Sequence, residues 1–215
     1  MAILTLEEIR SLVRDEAKEQ SEILLSDSFL NMAINLGYKD VAVKAQCYER
    51  TFAISNIQAG VRAIPLDESV IKANYVENAV SLVGMQEIRP YSIGVADIDD
   101  DSPRYWFQWG RYLVIEPIPE VSTYDINIVA SCMPDTEMSS ESDTPEDLPP
   151  EFHESVFEFS VVPACIKLKK WKSAVLAYNL YITNLKLKRD AFIKAALDRR
   201  SDRELPQTVT LTKEQ

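Results

Sequence analysis

The 215-residue chain has one histidine, His153, and only five glycines, Gly37, Gly60, Gly84, Gly94 and Gly110, each isolated from the others. Scattered glycines exclude the usual phosphate cradles, because both G-x-G-x-x-G and the P-loop need several in one turn. A Ser–His–Asp or Cys–His site would have to use His153. The surrounding FHES run carries neither a G-x-S-x-G elbow nor an H-E-x-x-H pair, so His153 reads as an ordinary helix residue. Three cysteines, Cys47, Cys132 and Cys165, lie far apart with no CxxC. That odd count favours reduced thiols over a disulfide or metal site. No apolar run approaches the roughly 18 residues of a membrane span. The opening MAILTLEEIRSLVRDE lacks the basic start and apolar block of a signal peptide, so assembly in a cytoplasm is expected. Net positive charge is also missing. At −11 the chain is poorly suited to grip phosphates, which takes clustered Lys and Arg.

What is present is ordinary for a globular fold: 46% hydrophobic and 27% charged residues. The charge is unevenly spread. Residues 135–154 hold Asp135, Glu137, Glu141, Asp143, Glu146, Asp147, Glu151 and Glu154 without a Lys or Arg, whereas the region from Lys167 to Arg203 is basic. Such segments serve as solvated faces, or as complementary surfaces on neighbouring copies of an oligomer. Asp97, Asp99 and Asp101 imitate the start of an EF-hand loop. Ser102 stands where the loop needs Gly and Gln108 where it needs a bidentate Glu, so the run reads as an acidic turn.

The pattern along the chain predicts an α+β protein. Thr5-Leu6-Glu7-Glu8 has the form of a capping box, and Leu6, Ile9, Val13 and Ala17 follow at helical spacing to about residue 21. A second helix starts at Ser26-Asp27-Ser28 and runs to about residue 46. Gly37 inside it costs about 1 kcal/mol against Ala and suggests a close helix contact. From Tyr48 to Thr123, β-branched and aromatic residues alternate with turn residues, and candidate strands are 48–56, 61–65, 69–76, 79–91, 104–109, 111–116 and 123–131. Gly110 is the expected turn of the clearest hairpin. Residues 133–148 read as an exposed acidic loop. Pro149-Pro150 opens a third helix, which Pro163 should kink or end. A fourth helix from about Ser173 to Leu197 carries an apolar stripe of Ala174, Tyr178, Tyr181, Ile182, Leu185 and Phe192. Past Pro206, Thr208–Thr212 alternates like a lone strand, which fits either a disordered tail or an arm that pairs with a partner. The expected architecture is therefore a four-helix core with an inserted small antiparallel β domain and an extended C-terminal arm. Its parts are 1–46 (helices), 47–132 (β insert), 133–148 (acidic loop), 149–198 (helices) and 199–215 (arm).

This order of elements resembles the head-to-tail adaptor (connector) proteins of tailed bacteriophages. The matching stretches are SDSFLNMAINLGYKDV at 26–41, RAIPLD at 62–67, LVIEPIP at 113–119 and DTPEDLPPEFHE at 143–154. They are similar to the family's "SD…L…IN…Y.D" helix, its "Y-x-L-P" strand end, its strand ending in "PxP" and its "D-x-P-x-LP-x-x-(Y/F)-H" helix entry. Ala63 departs from the pattern, where the family often has an aromatic. The resemblance implies a homo-oligomeric ring, commonly a dodecamer, beneath the portal protein. Such a ring extends the DNA channel, lets DNA pass without specific binding, and docks tail, nozzle or neck proteins. It implies a virion protein with no catalytic residues, no metal, no cofactor and no membrane contact. The C-terminal segment would reach the portal, with Leu205, Val209 and Leu211 as its contacts, and part of the acidic surface would face the channel. The other readings are a different neck or tail-completion protein (stopper or terminator), or a cell-wall hydrolase using His153.

Overall fold

A computed structural model describes residues 3–19, 21, 23–89, 103–120 and 124–201, the side chains of 196–201 excepted. The EF-hand-like aspartates and Leu205, Val209 and Leu211 lie outside the described residues. Helix α1 (Leu6–Ala17) begins at the predicted capping box: the Thr5 N–H donates to Glu8 Oε2 at 2.8 Å and the Glu8 N–H to Thr5 Oγ1 at 3.3 Å. Its predicted stripe of Leu6, Ile9, Val13 and Ala17 is buried. Helix α2 (Asp27–Ala45) is capped by Ser26. A Cβ on Gly37 would stand 2.9 Å from Phe159 Cδ1 and 3.1 Å from the Val156 carbonyl, so the glycine does let a second helix approach.

That second helix is α3 (His153–Lys167), entered through a single 3-10 turn at Pro150–Phe152. It continues past Pro163 instead of ending there. The missing N–H removes one backbone bond, but Ser160, Val161, Ala164 and Cys165 around it are all buried. Packing outweighs the local penalty. Helix α4 (Trp171–Ser201) is longer than expected at both ends. With α1, α2 and α3 it encloses one hydrophobic core that includes Leu6, Ile34, Phe152, Val156 and Tyr181.

Strands β1 (Glu49–Ile57), β7 (Tyr124–Cys132) and β3 (Val70–Asn78) form an antiparallel sheet with β7 in the centre. A second sheet has the order β2 (Ala63–Pro65), β6 (Tyr112–Glu116), β5 (Tyr105–Trp109) and β4 (Gln86–Glu87). Gly110 turns β5 into β6 with φ of +58°, the positive value that two-residue hairpins require. Between the sheets lies a second core around Trp106, Leu113, Ile115, Ile126 and Ile128. Tyr48 packs against both cores.

Two sequence expectations need correction here. The described residues 79–89 do not form one strand: Gly84 makes a single antiparallel bridge to Glu77, and Gln86–Glu87 pairs parallel to β5, so the insert is not wholly antiparallel. The Asn78 side chain accepts from the Val80 and Ser81 N–H groups and Leu82 takes a φ of +55°. This local turn captures the β-branched run before it can extend.

Candidate assembly interface

The acidic segment 133–148 has no helix or strand and is mostly exposed, as its composition suggests. It is not free, however: it lies as a strap across α1 and α2, anchored at a few buried points. Asn35, itself buried, grips the strap with both ends of its amide: Nδ2 donates to the Met138 carbonyl at 2.9 Å, and Oδ1 accepts from the Met138 N–H at 2.8 Å. Met138 and Leu148 are buried in the helical core. The strap also closes the start of α1, because the Leu6 N–H donates to the Asp143 carbonyl at 2.8 Å and the Glu7 N–H to the Glu141 carbonyl at 3.2 Å. Two of the N–H groups orphaned at a helix start are thereby satisfied from more than 130 residues away.

The strap's carboxylates fall into two groups. Asp135 pairs with Arg50, Glu137 with Lys39 at 2.6 Å, and Glu141 with Arg10 at 3.3 Å. Asp143, Glu146 and Asp147 have no cationic partner among the described residues. Asp143 accepts from the Ser139 and Ser140 N–H groups at 2.7 Å each, and these bonds hold its carboxyl below the usual carboxylate range. Asp147 accepts from the Tyr38 hydroxyl at 2.8 Å, and burial raises that phenol's pKa. Exposed ion pairs of this kind contribute about 0–1 kcal/mol each. Asn35 and the backbone bonds therefore do most of the holding.

Asp143 gives the strap an acid sensitivity with a definite sign. Its pKa is lowered on folding, so its contribution is complete above the unfolded value and is lost as pH falls through the folded one. Thermal melts should show stability dropping below about pH 4. The Asp143→Asn variant should show a shallower loss over that range. An unchanged slope would assign the acid sensitivity elsewhere, for instance to Asp27, whose carboxyl Arg14 holds down at 2.7 Å.

No group of three or more His, Cys, Asp or Glu able to hold a metal ion occurs among the described residues, and no helix there is long and apolar enough to cross a membrane. His153 is buried, with Nε2 3.0 Å from the Leu148 carbonyl. Among the described residues neither a Ser nor a Cys side chain shares a hydrogen bond with it. All three cysteines are free and buried. Burial pushes the Cys47 thiol up to about 12 and raises Cys132 and Cys165 as well. A thiol reagent should therefore label none of the three until denaturant unfolds the chain. Rapid labelling of the native protein would contradict this burial.

The long helices leave apolar surface uncovered. On α2, Met32, Leu36 and Val43 are exposed; on α4, so are Trp171, Val175, Leu176, Leu180 and Leu187. The sequence reading found only the inward stripe of α4. Of that stripe, Ala174, Tyr181 and Leu185 are buried, while Tyr178 is 42% exposed. The signal it passed over was apolar residues all around the helix, which in a surface helix points to a partner. Between the helical core and the three-stranded sheet lies an open cleft of about 1200 Å³, lined by residues such as Cys47, Tyr48, Asn74, Asp147 and Arg189. It contains no paired nucleophile and base. Among the described residues the single histidine and the three thiols are buried, whereas apolar side chains on α2 and α4 are exposed.

A family model described as SU10 adaptor protein matches residues 4–210. The chain belongs to the SU10 adaptor protein family. The match spans both the helical core and the β insert, so the resemblance to phage head-to-tail adaptors holds for the whole architecture and not for one motif. A search of curated proteins found no match. As a phage adaptor it is a virion component of a structural family, with portal and tail proteins as its class of partner.

Proposed function

We propose that this adaptor forms a homo-oligomeric ring beneath the portal, extends the DNA channel and docks tail, nozzle or neck proteins on its far side. The observation that carries this reading is the family match over residues 4–210. In the proposed division, residues 1–46 and 149–198 form the ring wall, 47–132 project from it, and 133–148 strap the wall together. The net charge of −11 suits a channel that DNA must slide through, because an acidic lining repels phosphates. Asp143, Glu146 and Asp147, which have no cationic partner among the described residues, are the strap's contribution to that negative surface. The arm 199–215 reaches the portal through Leu205, Val209 and Leu211, adding a strand to it. Assembly takes place in the host cytoplasm.

Deleting residues 204–215 should abolish attachment to filled heads while leaving the circular dichroism spectrum and melting temperature unchanged. Normal attachment would overturn the role of the arm. Cryo-electron microscopy of necks should place the chain as a ring directly under the portal, and density at the tail tip instead would overturn the reading as a whole.

A further inference from the structure

We infer that the free edge of β1 accepts an added strand from the tail or neck protein that docks on this adaptor, an extended segment with an apolar side chain at every second position. The inference rests on the adaptor reading and specifies how its docked partner is held. In the three-stranded sheet β7 is central, so β1 and β3 are both edges. The two edges are finished differently.

The outer edge of β3 is covered. Gln108 closes its first half with one amide: Nε2 donates to the Ile71 carbonyl at 3.3 Å, and Oε1 accepts from the Ala73 N–H at 2.8 Å. The turn after β3 closes the second half, where the Met85 N–H donates to the Val76 carbonyl at 2.8 Å and the Asn78 N–H to the Val83 carbonyl at 3.0 Å. On β1 the Cys132 N–H donates to the Tyr48 carbonyl at 2.9 Å. Antiparallel bonding repeats at every second residue, so Tyr48, Arg50, Phe52 and Ile54 bond to β7. The N–H and C=O groups of Glu49, Thr51, Ala53 and Ser55 therefore point away from the sheet, and none has a partner among the described residues. Nor is this edge blunted. ERTFAIS at 49–55 contains neither Pro nor Lys, and the ladder becomes irregular only past Ile54, where Asn56 takes a φ of +60°. An edge without such defences invites another strand.

Alternating donors and acceptors select an extended backbone, and the flanking side chains select its pattern. Phe52 and Ile54 pack against the second core yet are only half-buried, whereas Thr51, Ala53 and Ser55 on the opposite side of β1 are exposed. An added strand of about seven residues would lay apolar side chains beside Phe52 and Ile54 and polar ones beside Thr51 and Ser55. Its backbone bonds would supply affinity and its alternate side chains specificity. Two copies of β1 could also pair edge to edge. That contact is two-fold and closes after two subunits, whereas a single ring is built from contacts between different faces. A strand from another protein fills the edge and leaves the ring contacts free.

Hydrogen exchange in the free, full-length subunit reads the edge directly. The Thr51, Ala53 and Ser55 amides should exchange about a hundred-fold faster than those of Phe52 and Ile54. Slow exchange at Thr51 and Ala53 would overturn the inference. It would point to the chain's own arm if deleting residues 204–215 abolished it, and to a β1–β1 pair if it grew with protein concentration. In phage, Ala53→Pro removes one outward donor and none of the bonds to β7. It should melt close to wild type and enter heads normally, yet yield roughly ten-fold fewer tailed particles. Ala53→Thr, which keeps the N–H, should yield tails like wild type. Thr51→Pro repeats the test one step along the edge should Ala53→Pro misfold. Normal tailing of both proline variants would overturn the inference while leaving the adaptor reading intact. Loss of a folded proline variant from heads would assign the edge to the ring or the portal, and would overturn the inference too. Absence of the wild-type chain from particle necks would instead overturn both.

Discussion

Replacing Phe152 by alanine is expected to destabilise the protein by about 3–5 kcal/mol. Phe152 is completely buried where the 3-10 turn hands over to α3. Its ring meets Phe192 of α4 edge-on, with centroids 5.6 Å apart. Truncation removes the ring's transfer free energy and leaves a cavity that its neighbours on α3 and α4 cannot fully collapse into. Phe152→Leu should recover most of the loss, leaving a deficit of about 0.5–1.5 kcal/mol for the edge-to-face contact. Denaturant titration checks both, the midpoint falling with an unchanged slope. A Phe152→Ala loss below about 1.5 kcal/mol would mean that the helical core is far more plastic than its packing implies.

Asn35→Ala should cost roughly 2–4 kcal/mol, out of proportion to the few atoms removed. Two hydrogen bonds go, and the buried N–H and carbonyl of Met138 are left without partners. The stranded groups make up most of the penalty, since each unsatisfied buried group costs about 1–3 kcal/mol. Asn35→Asp separates the two halves of the effect. It keeps the acceptor for the Met138 N–H but sets a carboxylate against the carbonyl, so it should stay unstable at neutral pH and recover in mild acid as the carboxyl protonates. Hydrogen exchange at the Met138 amide gives a local readout, and fast exchange is expected in Asn35→Ala. Slow exchange there would show that the strap is held by other contacts.

What could be read from the sequence depended on the range of the interaction. The capping box at Thr5, the stop at Ala45, the Gly110 hairpin and the Pro149-Pro150 helix entry are decided within a few residues, and all stand in the structure within a residue or two. Gly37 was legible as a close contact, though its partner, Phe159, was not. What was not legible was decided either at long range or by a single side chain. Composition marks 133–148 as an exposed loop, and it is one, but its anchoring by one asparagine a hundred residues upstream and by two buried side chains, Met138 and Leu148, could not be seen. Pro163 would break an isolated helix, and survives because buried neighbours hold both sides. The 79–91 run lost to a turn built by the Asn78 side chain. For the interface, the inward stripe of α4 could be read because a core imposes a period. The outward stripe was hidden because apolar residues on every side cancel that period.

The interleaving of the helical core carries a consequence for synthesis. Residue 45 closes α2, but its packing partners α3 and α4 begin only at His153 and Trp171. At about 5–20 residues per second the ribosome needs roughly 5–20 s to cover that gap. Throughout it Leu6, Ile9, Leu30 and Ile34 have no core to enter. The β insert is contiguous and can fold as it emerges, whereas the helical half can only form last. Nascent chains arrested with β7 clear of the ribosomal exit tunnel and α3 still inside it should therefore be protected from protease in the insert and open to it at the N-terminus.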